Sequence, residues 1–71
     1  MKPNAQTSYN PDPDYLRELI AKAGLTQSAT AELVGITPRS MRRYLAFTDS
    51  PNYQQAPYAV QFAIECLAQN K

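Results

Sequence analysis

Three arginines, Arg39, Arg42 and Arg43, fall within five residues, with Thr37 and Ser40 beside them and no acid anywhere in residues 36–47. A guanidinium is always charged and presents five donors in a planar fork. That fork matches two oxygens of a phosphate or the O6 and N7 edge of a guanine. Hydroxyls add neutral donors, so the chemistry on offer is the holding of a polyanion rather than turnover. Neighbouring residues of a helix differ by ~100° in direction. Arg42 and Arg43 therefore take different jobs, one at a base and the other at a phosphate. Arg39 sits near a helix start, where the helix dipole disfavours a cation. It is the choice for bidentate reading of a guanine, a pairing that discriminates by ~1–3 kcal/mol. The plain alternative for all three is a solvated helix face, the usual fate of a charge cluster.

Other chemistries lack their residues. There is no His and one Cys, which excludes the usual Cys/His zinc spacings, a His general base and an internal disulfide. Paired carboxylates, a Gly-rich phosphate loop and an activated nucleophile are missing too, so the expectation is a protein that is not an enzyme and uses no metal or cofactor. The 71 residues hold seven Lys plus Arg against six Asp plus Glu, a net charge of +1. That low total conceals a local +3 over residues 36–47, with the remainder summing to −2 (1 − 3). A low total limits non-specific DNA binding, because the electrostatic part scales with the phosphates neutralised. No apolar run approaches the ~20 residues that span a bilayer, and the first residues lack the apolar core of a signal peptide. A cytoplasmic protein with no membrane partner is expected.

The elements that must position the arginines follow from caps and breakers. Residues 1–11 hold little to bury and read as a flexible leader, and residues 12–71 as the domain. Asp12 followed by Pro13 starts a helix with Tyr15, Leu16, Leu19, Ile20 and Ala23 on one stripe, ended by Gly24. Thr26 caps a second helix over 27–34, stopped by Gly35. Thr37 followed by Pro38 starts a third over 38–46, with Met41, Tyr44 and Leu45 on one face and Arg39, Ser40, Arg42 and Arg43 on the other. Residues 48–56 read as a loop, and a last helix covers 57–69.

The stretch TQSATAELVGITPRSMRRYLA has the layout of a helix-turn-helix. Ala31 is small where two helices cross closely, Gly35 takes the turn, Ile36 fills beneath it, and Met41 and Tyr44 anchor the following helix. In this architecture the second helix enters the major groove with its N-terminal residues at the base edges. Gln27 and Ser28 open the preceding helix, where side-chain and backbone donors can grip a phosphate. Thr37 and Ser40 complete the candidate DNA contacts, although capping alone accounts for Thr37. Cys66 reads as a small buried residue, and Tyr53 and Tyr58 as packing residues or backbone contacts.

The last helix has an apolar arc wider than a core contact requires. Between residues 58 and 68 only Gln61 and Glu65 are polar, whereas a helix on a small bundle needs roughly a 100° stripe. Either it runs through the middle of the bundle or a second face meets another chain. Short recognition helices pair to read inverted half-sites about one turn, ~34 Å, apart. Val60, Phe62, Ile64 and Leu67 are accordingly the candidates for a dimer interface. The expected fold is all-α, a small helix-turn-helix bundle of about four helices, dimerising through the C-terminal helix.

The residues PDPDYLRELIAKAGLTQSATAELVGITPRSMRRYLA, followed by YQQAPYAVQFAIECLA, resemble the anti-CRISPR-associated (Aca) family of phage and prophage repressors. The similarity covers residues 11–68, and its particular parts are PDP-YLR before the helix-turn-helix and APY-VQFA-ECLA after it. The resemblance implies a homodimer that binds inverted repeats in double-stranded DNA and represses the promoter of an anti-CRISPR operon. It implies a DNA-binding role for Arg39 and a basic position at Arg42. Arg43 stands where a relative has an aromatic residue, and Ser28 and Ala29 stand where it has two arginines. That departure shifts phosphate contact towards Arg43 and the backbone N–H groups. The competing class is a protein-interaction module in which the helix-turn-helix is only a scaffold.

Overall fold

The computed structural model describes residues 5–69; residues 1–4, 70 and 71 lie outside them. Among the described residues every regular element is helical: a single turn α1 (Ala5–Ser8), then α2 (Pro13–Ala23), α3 (Gln27–Val34), α4 (Pro38–Tyr44) and α5 (Tyr58–Gln69). The three central helices begin at the expected caps. The Asp12 carboxylate accepts the Asp14 N–H at 3.0 Å, the Thr26 hydroxyl accepts from Ala29 at 3.1 Å, and the Thr37 hydroxyl from Ser40 at 3.1 Å. Each satisfies a donor that the helix itself cannot. Helix α4 ends two residues short of the expected 46, because the Ala46 N–H turns back to the Arg43 carbonyl at 3.4 Å.

One apolar cluster holds these helices together. Leu16 and Ile20 of α2, Ala31 of α3, Met41 of α4 and the following Leu45 meet Ala56, Val60 and Ile64 at and before α5. Tyr15, Leu19, Leu25, Val34, Ile36 and Tyr44 close its edge. Helix α5 packs on α2 and α3, and α3 packs on α4. No helix among the described residues is long and apolar enough to cross a membrane.

The inward face of α5 differs from its sequence pattern. Val60, Gln61, Ile64, Glu65 and Ala68 are all buried, so Gln61 and Glu65 point into the bundle rather than out of it, while Gln69 at the end of the helix is exposed. Val60 and Ile64 are thereby corrected as interface candidates, since Ile64 is 0 % exposed and both belong to the chain's own core. The outer stripe is Ala59, Phe62, Ala63, Cys66 and Leu67, spaced i, i+3, i+4, i+7, i+8, and none of it is fully buried. Of the four candidates, Phe62 and Leu67 stay on the outside.

Burial of Gln61 and Glu65 is compensated by partners from far along the chain. The Gln61 side chain donates to the Ser8 carbonyl and accepts the Asn10 N–H, both at 2.7 Å. It also donates to Glu65 Oε2 at 3.1 Å, and the Tyr15 hydroxyl donates to the same oxygen. Glu65 Oε1 is buried without a partner. The Tyr9 hydroxyl donates to the Ala56 carbonyl, and its ring meets Tyr58 edge-on at 6.1 Å. Residues 8–10, which composition places in a leader, are therefore fastened to α5. Their polar, apolar-poor composition hid this, because the fastening combines backbone groups of Ser8 and Asn10 with the single side chain of Tyr9.

The Tyr15–Glu65 pair ties stability to pH. Hydrogen bonding to the Glu65 carboxylate, then burial, then the carboxylate's negative charge push the Tyr15 hydroxyl from 10.0 up to about 12. The folded state thus holds this proton more tightly than the unfolded chain. Its stabilising contribution is complete below about pH 10 and is lost as pH rises towards about 12. Urea unfolding followed across that window will show a steeper loss of stability for the wild type than for Tyr15→Phe. Equal slopes would mean that the pair does not form.

Candidate nucleic-acid interface

Two short helices and a three-residue turn set the geometry. Gly35 closes α3 with φ +88°, in the left-handed region, and both its N–H and that of Ile36 reach the Ala31 carbonyl, at 2.9 and 3.0 Å. Those bonds satisfy the carbonyl that the helix end leaves open. Ala31 is completely buried in the core, as is Met41 on the first full turn of α4. Met41 inward places its neighbours outward: Arg39 and Arg42 are exposed and Arg43 is half-buried.

The three arginines share one concavity. Arg39, Arg42 and Arg43 line a groove of about 370 Å³ together with Ala46, Ser50 and Asn52. None of the three pairs with a carboxylate among the described residues. The fourth arginine behaves differently. Arg17 pairs with Asp14 at 2.7 Å, donates to the Leu45 carbonyl at the end of α4, and lies 5.1 Å over the Phe47 ring. One guanidinium thus ties α2 to the end of α4, whereas the other three line the groove.

The remaining candidates are not gathered there. Gln27 is exposed and lines a separate cleft of about 290 Å³ with Arg17, Ile20 and Leu25. Ser28 is exposed and lines neither. Thr37 is occupied: its hydroxyl accepts the Ser40 N–H and donates to Ser40 Oγ at 3.1 Å. Ser40 keeps its own O–H, on a half-buried side chain. Ser50 and Asn52 are the groove residues that sequence reasoning missed, because residues 48–56 look like any polar connection. No group of acids and cysteine that could hold a metal ion occurs among the described residues.

A small helical domain with a cationic groove between α4 and the loop after it is what the fold and site define. The sequence matches no known protein family and no curated protein.

The turn carries a stability prediction. A Cβ on Gly35 would meet open space, so the left-handed φ alone resists substitution. Gly35→Ala should cost about 1–2 kcal/mol in urea unfolding, with Gly35→Asn closer to wild type. An alanine variant as stable as the wild type would show that the turn does not need this conformation.

Proposed function

We propose that the chain is a dimeric, sequence-specific DNA-binding repressor of the helix-turn-helix kind, with no catalytic activity and a cytoplasmic place of action. Helix α4 is the recognition helix, and α3 with the Gly35 turn sets it against the duplex. The observation that carries this reading is the opposition of two faces on one helix. Met41 is sealed in the core while Arg39, Arg42 and Arg43, which pair with no acid among the described residues, line one groove. Arg39, nearest the helix start, reads a base; Arg42 and Arg43 divide base and backbone contacts. Gln27, Ser28 and Ser40 supply neutral donors at the flanks. The resemblance to the anti-CRISPR-associated family points to an inverted-repeat operator and to autoregulation of an anti-CRISPR operon.

The second copy docks through the outer stripe of α5, centred on Phe62 and Leu67. Pairing supplies the second half-site contact that a seven-residue helix cannot supply alone. Leu33 and Phe47, 63 % and 71 % exposed, favour the alternative of a protein-interaction module. The two readings part on the arginines.

Two experiments test the proposal. In a mobility-shift assay with the chain's own upstream promoter region, the wild type should retard the duplex at modest salt. Arg39→Ala should weaken it by roughly ten-fold or more, as loss of a bidentate base contact does. Unchanged retardation by the variant, or none by the wild type, would favour the interaction module. In sedimentation equilibrium at micromolar concentration, the wild type should be a dimer and Leu67→Glu a folded monomer. A Leu67→Glu dimer would place the interface elsewhere.

A further inference from the structure

The connection between α4 and α5 forms one wall of the arginine groove. Ser50 and Asn52 line it, whereas Asp49, the one acid of the loop, does not. The loop is fixed relative to α4 by its backbone. The Ser50 N–H donates to the Phe47 carbonyl at 2.9 Å, the Tyr53 N–H to the Ser50 carbonyl at 3.1 Å, and the Gln54 N–H to the Arg43 carbonyl at 3.2 Å. The Asn52 N–H donates to Ser50 Oγ at 3.3 Å. Asn52 is exposed, and its side-chain amide makes no hydrogen bond among the described residues.

Resting on the reading of α4 as a recognition helix, we infer that this loop is a second DNA-contacting element. The Asn52 amide and the Ser50 hydroxyl, beside Arg43, hold one backbone phosphate. Position decides for phosphate over base. The base-reading end of such a helix is its N-terminal turn, here Arg39; Ser50 and Asn52 line the same groove, but the loop that carries them follows the C-terminal end of α4 and is tied to its last turn by the Gln54 N–H on the Arg43 carbonyl. Neutral side-chain donors of this type commonly fix the register of a protein on the duplex through phosphates. The loop therefore sets how far α4 advances into the groove.

The probe is a duplex enriched by the wild-type chain from a randomised pool, with a scrambled duplex beside it. Asn52→Ala should weaken both duplexes by roughly five-fold, the loss of a hydrogen bond without loss of charge. Asn52→Lys should tighten both and steepen the slope of log affinity against log salt by ~0.9 for each bound protomer, because a phosphate is newly neutralised. An unchanged slope for Asn52→Lys together with Asn52→Ala within two-fold of wild type would overturn the inference. So would an Asn52→Ala effect confined to one base of the enriched site. Arg39→Ala losing enrichment while both Asn52 variants behave as wild type overturns this assignment alone. Failure of the wild type to enrich any duplex overturns the repressor reading and this one together.

Discussion

The outward face of α4 exists because Met41 fixes its inward face. A helix of seven residues is not stable by itself in water, since the cost of nucleation is not recovered over so few hydrogen bonds. Here it is held at three levels: the Thr37 cap below, Met41 in the core, and Leu45 with its carbonyl bound by Arg17 above. Truncation of a fully buried Met typically costs ~2–5 kcal/mol. A chain of this size has a total stability of ~4–11 kcal/mol, at roughly 0.05–0.15 kcal/mol per residue. Geometry of the groove and survival of the fold thus depend on the same side chain.

The charge layout follows from which cations the fold uses internally. Arg17 is drawn into a carboxylate, a carbonyl and an aromatic ring, so it adds little to any external field. Among the described residues the α4 arginines have no such partners, and the acids stand on other elements. A net charge of +1 is in this way compatible with one face that is strongly positive.

What was legible in the sequence was local. Thr26, Thr37 and Asp12 as caps, Pro13 and Pro38 at helix starts, and Gly24 and Gly35 at helix ends each act within four residues, and the helices begin and end at them. Ala31 and Met41 as buried positions were legible for the same reason, through helical periodicity. The polar side of α5 was not. Gln61 and Glu65 are tolerated inside because Ser8, Asn10 and Tyr15 reach them from about fifty residues away, and no periodicity encodes that. The same limit hid Ser50 and Asn52, whose place in the arginine groove depends on the loop's own hydrogen bonds and on that from the Gln54 N–H to the Arg43 carbonyl. It also assigned Val60 and Ile64 to a second chain when the first chain's core had claimed them.

Gln61 grips the preceding segment in a particular way. Its amide donates to one main-chain carbonyl and accepts from a main-chain N–H two residues on, the pairing that an adjacent strand would offer. Such a clamp reads the course of the chain and is blind to its side chains. Position 8 can then change identity over generations without loosening this clamp, whereas Asn10 also accepts the Asp12 N–H through its side chain at 3.1 Å. A proline at position 10, which has no N–H, is the replacement that this arrangement forbids.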